Sequence, residues 1–210
     1  MVWGNGWGPA NEGGFALEGC AWPRVGEKPP PGGAAGGCPA YRPGGTGALV
    51  LGLAMLTAHL PSGYVLGRLA PAGRGLMVAA LIGAVLPDFD MLWFHFVDQG
   101  QIHHHRYWVH VPVFWAAITA VTLPVLGLWA RRWLPMAVMF FAALLLHLLL
   151  DSISGGILWG APFSDHLFAL VEVPATQPHW VLSFLLHWTF LLELGIWGSA
   201  FYLWRRERRS

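Results

Sequence analysis

Apolar positions in this chain run in long unbroken blocks instead of alternating with polar ones. The blocks are Ala48–Leu69, Gly75–Leu86, Val111–Ala130, Leu134–Leu150 and Trp180–Trp204. A bilayer core takes roughly 20 helical residues. Against that length Gly75–Leu86 is short, and Pro87 stops it; it reads as a tilted span or as one arm of a partly inserted hairpin. No internal repeat and no strand-like alternation interrupts the blocks. The pattern predicts an all-α fold, a polytopic membrane helical bundle of four to five helices.

Residues 1–46 differ in character. GNGWGPANEGG, GEKPPPGGAAGG and YRPGGTG are rich in Gly and Pro and carry no helical or strand period, so this stretch reads as a disordered extension. It lacks the basic start and apolar core of a signal peptide. Residues 47–210 form the membrane domain, and Met55 is a second candidate for the start of translation.

Composition agrees with a membrane chain. Hydrophobic residues make up 55% of the 210 and charged residues only 11%, against about 25% charged in soluble domains. A net charge of +1 gives no ground for expecting a nucleic-acid partner; the partner implied is the lipid bilayer. Cys20 and Cys38 belong to no CxxC motif and point to neither a disulfide nor a free thiol. The basic residues are local, at Arg131-Arg132 and in the tail Arg205-Arg206-Glu207-Arg208-Arg209. The positive-inside rule places both in the cytoplasm, C-terminus included. Val111–Ala130 then begins outside and Leu134–Leu150 ends outside. Arg68 and Arg74 are cytoplasmic on the same scheme, which sends Gly75–Leu86 outward.

That orientation brings the chain's polar chemistry to one face. Pro87–His110 reads PDFDMLWFHFVDQGQIHHHRYWVH and concentrates Asp88, Asp90, His103, His104, His105, Arg106 and His110. Such groups are costly near lipid and mark a functional site by default. His147 and Asp151 add an i,i+4 pair on one helix face. Imidazole nitrogen and carboxylate oxygen are what Zn and similar ions take as ligands. Three consecutive histidines cannot all face one ion, so one of His103–His105 together with His110 is the expected contribution of that run. Arg106 is a planar fork suited to a phosphate oxygen. His59 is open to two readings, a ligand or a hydrogen-bonded histidine of an apolar helix, and Gly63 one turn on permits close helix approach. His95, His166, His179, His187 and Glu193 have no partner at useful spacing and read as outside the site.

Thr57-Ala58-His59-x3-Gly63, LIGAVLPDFD, His105-Arg106-x3-His110, the HLLLD helix and GGILWGAPFSD together resemble the YdjM-like family of inner-membrane, metal-dependent hydrolases. That family is remotely similar to zinc-dependent phospholipase C-type enzymes. The resemblance covers about Met55–Asp165. It implies His59, Asp88, Asp90, His105, His110, His147 and Asp151 as metal positions and a structural role for Pro162-Phe163. The chain keeps the Arg and His of the family's Arg-Gly-x-Thr-His-Ser motif but lacks its Gly, Thr and Ser.

The resulting expectation is a multi-pass protein of the inner (plasma) membrane, with a site near the outer face holding one to three divalent ions, Zn foremost. Metal-activated water would attack an ester, most plausibly a phosphoester of a lipid-like substrate. Asp88 or Asp90 would serve as base, and Arg106 would steady the phosphate. The competing reading is a non-enzymatic membrane metal-binding or transport protein.

Overall fold

The computed structural model describes residues 47–71, 73–98, 104–174, 176 and 180–209. The N-terminal extension, Cys20, Cys38, His103 and His179 lie outside the described residues, as does the side chain of His104. Among the described residues the fold is all-α. Helix α1 spans Gly47–Leu69, α2 Arg74–Val85, α3 Asp90–Phe96, α4 Pro112–Trp129, α5 Leu134–Ser154, α6 Trp180–Leu185 and α7 Phe190–Glu207.

Small residues bring the central helices together. A Cβ added at Gly63 of α1 would lie 2.5 Å from the Ala84 Cβ and 2.9 Å from the Ala80 carbonyl on α2, and one at Gly83 would strike the Phe140 carbonyl on α5. Ala80, Ala84 and Ala143 fill the seam completely, with Leu66 and Met139 packed against it. Lipid supplies little hydrophobic drive between helices, so close backbone approach of this kind is how they hold one another. α4 packs against α5 and otherwise buries no residue. A helix apolar all round and open on most sides is covered by lipid.

By length and composition, Pro112–Trp129 and Arg131–Ser154 can each cross a membrane. The short block before Pro87 resolves into a bent pair, Arg74–Val85 followed by Pro87–Phe96 at 49°, which makes a third crossing if counted as one span. Pro87 opens a 3-10 turn, Pro87–Phe89, because its ring cannot continue the helix hydrogen bonding of α2. The last apolar block differs from expectation: Trp180–Trp204 is two helices, broken at residues 186–189. There His187 Nδ1 pairs with the Thr189 hydroxyl at 2.9 Å, a local bond that competes with helix continuation.

Basic residues collect at one end. Arg68 of α1 pairs with Glu207 of α7, Arg74 opens α2, and Gly75 lies against Met136, four residues past Arg132. Thr57 donates to Glu193 at 2.7 Å, so α1 and α7 run parallel with bonds at both levels. The other end of α5 is closed by the chain that follows it. Leu170 N–H donates to the Ser152 carbonyl at 2.8 Å and Val171 N–H to the Ile153 carbonyl at 2.9 Å, satisfying carbonyls that a helix end leaves open. Gly156, at φ +70°, makes the turn that this return requires and that a side chain would strain. Pro162 lies within the returning segment, and Phe163 is almost wholly exposed, at 97%.

Candidate metal centre

His147 and Asp151 project from one face of α5, and both are buried. His59 reaches them from α1, Asp88 from the turn after α2, and Asp90 from the first residue of α3. His105 and His110 come from two short 3-10 turns, His104–Arg106 and Trp108–His110, ahead of α4. Tyr107, between those turns, donates its hydroxyl to Asp98 and ties the segment back to the end of α3. Burial and the Asp98 carboxylate push that hydroxyl well above its ordinary pKa.

Asp151 is the hub. Its Oδ1 lies 3.0 Å from His59 Nε2, and its Oδ2 lies 3.0 Å from His147 Nε2, 3.7 Å from His110 Nε2 and 3.9 Å from His105 Nε2. Asp88 Oδ1 is 3.8 Å from His147 Nε2. The His59 and His147 rings stack, with centroids 3.9 Å apart.

The outer nitrogens settle which ring atoms face the centre. His147 Nδ1 donates to the Ala84 carbonyl at 2.7 Å, and His105 Nδ1 donates to the carbonyls of Gly155 and Gly156 at 2.7 and 2.8 Å. His110 Nδ1 donates to Asp90 Oδ2 at 2.8 Å. A carbonyl oxygen only accepts, so the proton sits on Nδ1 and a lone pair is left on Nε2. The Nε2 atoms of His147 and His110 face each other at 3.4 Å, close to the roughly 3.3 Å edge of a tetrahedron built on Zn–N bonds of about 2.0–2.1 Å.

The centre also carries buried polar atoms without hydrogen-bond partners among the described residues: both ring nitrogens of His59, Asp88 Oδ2, Asp90 Oδ1 and Asp151 Oδ2. Leaving such groups unmet costs free energy; a divalent ion among these lone pairs offsets that cost. Two groups have ligand atoms within 4.8 Å of one another, His59/Asp88/His147 and His105/His110/Asp151. The residues therefore fit a metal, with the nitrogen and oxygen donors that Zn and neighbouring divalent ions accept. Asp90 belongs to neither group and is placed instead to hold His110, the usual carboxylate–histidine arrangement behind a metal.

All seven residues named from sequence as ligands thus meet at one place, His59 included. Arg106 adjoins them but is exposed, and so are His95 and His166. His187 is taken up by Thr189. Sequence reading set Glu193 aside; the structure places it beside His59 and Asp151 as a wall of the same small cavity. A carboxylate in the first turn of an otherwise apolar helix was the available signal.

The fold and centre are those of an all-α membrane protein with a buried His/Asp site able to hold metal. The profile described as YdjM inner membrane protein matches residues 40–208, and the chain belongs to that family. It is similar to Inner membrane protein YbcI of Escherichia coli (strain K12), 31% identical over 150 residues that cover 63% of this chain and 85% of the relative. No solved structure matches. The family match extends past Met55–Asp165 in both directions and takes in α6 and α7.

Proposed function

We propose that this inner-membrane protein is a metal-dependent hydrolase acting on a phosphoester of a lipid-like substrate. The observation that carries the reading is the buried meeting of four imidazoles on Asp151, with Asp88 against His147 and three of the rings turned Nε2-inward by acceptors at Nδ1. His59, Asp88, His105, His110, His147 and Asp151 would hold the metal, Zn foremost, with Asp90 fixing His110. When bound, such an ion supplies Lewis-acid activation of water and of an ester oxygen near neutral pH. Asp88, with Oδ2 unmet, is the carboxylate placed to take a proton from water. Arg106, exposed one residue beyond His105, is the donor for a phosphate oxygen.

Depth supports a membrane-proximal substrate. Asp88 lies fourteen residues beyond Arg74, about 21 Å at helical rise, and the basic end belongs in the cytoplasm by the positive-inside rule. The site then sits in the outer half of the bilayer, within reach of headgroups.

The test is hydrolysis of a chromogenic phosphodiester and of phospholipid in mixed micelles by Zn-loaded protein, compared with chelated protein and with His147→Ala/Asp151→Ala. Turnover that follows metal and is lost in the variant is expected. A metal-loaded protein that cleaves neither substrate contradicts the hydrolase reading and leaves metal binding or transport.

A further inference from the structure

Three of the four histidines at the centre have an acceptor for Nδ1: a pair of carbonyls for His105, a carboxylate for His110 and a carbonyl for His147. His59 is the exception. It is 98% buried (2% exposed), its Nε2 lies 3.0 Å from Asp151 Oδ1, and its Nδ1 has no hydrogen-bond partner among the described residues. A histidine that ligates through Nε2 normally donates its other N–H, which fixes the tautomer and the ring's orientation.

His59 and Asp151 line a cavity of about 40 Å³ together with Ala58, Phe184, Thr189 and Glu193. One water needs about 10–15 Å³ of such space and two to four polar partners, so the cavity has room for water and the groups to hold it. Glu193 is the acidic wall on the α7 side. It is half-buried on an apolar helix, where a carboxylate is costly unless it is used, and the Thr57 hydroxyl steadies its Oε2 at 2.7 Å. Helix α7 carries no candidate ligand, so Glu193 is its one acidic group at the level of the centre.

We infer that Glu193 positions His59: a water in this cavity accepts from His59 Nδ1 and donates to the Glu193 carboxylate, holding the ring with Nε2 toward the metal. The inference rests on the metal reading above and adds α7 to the centre. Thr57→Glu193 is then an orienting bond for this relay and more than a link between helices.

The test is Co2+ binding to detergent-purified protein, followed by visible absorption and by isothermal titration, for wild type, Glu193→Leu and Glu193→Gln. Loss of a carboxylate that holds a ligating histidine costs roughly 10–100-fold in metal affinity. That loss is expected for Glu193→Leu, with a changed Co2+ spectrum. Glu193→Gln keeps an acceptor oxygen and is expected to restore most of the affinity. In the His59→Gln background, Glu193→Leu is expected to add nothing, because the two act as one unit. A Glu193→Leu protein with wild-type affinity and spectrum overturns the inference and leaves Glu193 as a structural partner of Thr57. A measurement that needs no variant is the 15N imidazole spectrum of Zn-loaded wild type. His59 protonated at Nδ1 is expected, and His59 protonated at Nε2 overturns the inference. A wild-type protein that binds no metal at all overturns the centre itself, an outcome distinct from either.

Discussion

His110 is held by Asp90: Nδ1 donates to Oδ2 at 2.8 Å, and Nε2 is thereby turned toward Asp151. The pair separates two carboxylates that lie two residues apart in sequence. Asp88 sets an oxygen beside His147 Nε2 in one ligand group, while Asp90 works through a histidine. Asp90→Ala is therefore expected to lower metal affinity about 10–100-fold with the helical content unchanged. Asp90→Asn, which keeps an acceptor for Nδ1–H, is expected to fall between. Equilibrium dialysis against Zn buffers reads both.

The seam between α2 and α5 has no room for a side chain at Gly83, where a Cβ would meet the Phe140 carbonyl and lie 3.2 Å from Ala143 Cβ. Gly83→Leu is expected to cost about 1–3 kcal/mol through overpacking. It also moves Asp88, five residues on, away from His147. Thermal melts in detergent should show the lost stability, and metal content per protein should fall in parallel; Gly127→Leu, where a Cβ meets nothing within 4 Å, is the matched control.

The apolar blocks were legible in sequence because lipid allows only long uninterrupted runs whose backbone groups are satisfied internally. The convergence of Asp88, His110, His147 and Asp151 was legible too, since the Arg clusters set helix direction and direction sets which ends meet. His59 was not decided by sequence, because an isolated histidine in an apolar helix looks the same whether it ligates or not; the 3.0 Å approach to Asp151 is a tertiary fact. Nor could spacing tell that Asp90 faces His110, or that Glu193, 42 residues beyond Asp151 in the chain, lines the same cavity. The break at His187–Thr189 was hidden by the apolar residues on either side of it.

The Arg68–Glu207 pair joins α1 to α7 at the basic end, with both side chains a third or more exposed. Exposed pairs contribute less than about 1 kcal/mol. Arg68→Ala and Glu207→Ala are expected to leave melting temperature and metal stoichiometry within error, and the double variant to add little. A large loss of metal in either single variant would show that the basic end is coupled to the centre.

Orientation is open to direct labelling in a background with Cys20 and Cys38 replaced by Ser. Trp108→Cys, exposed beside His110, is expected to react with an impermeant thiol reagent on intact spheroplasts. Arg132→Cys, at the turn before α5, is expected to react only after lysis. The reverse pattern would put the metal centre on the cytoplasmic side.

The measurement that bears most directly on the metal centre is elemental mass spectrometry of detergent-purified wild type beside His147→Ala/Asp151→Ala. At least one Zn, or a neighbouring first-row ion, per wild-type chain is expected, and none in the variant. Wild-type protein that holds no divalent metal, even after reconstitution with Zn and Mn, would contradict it.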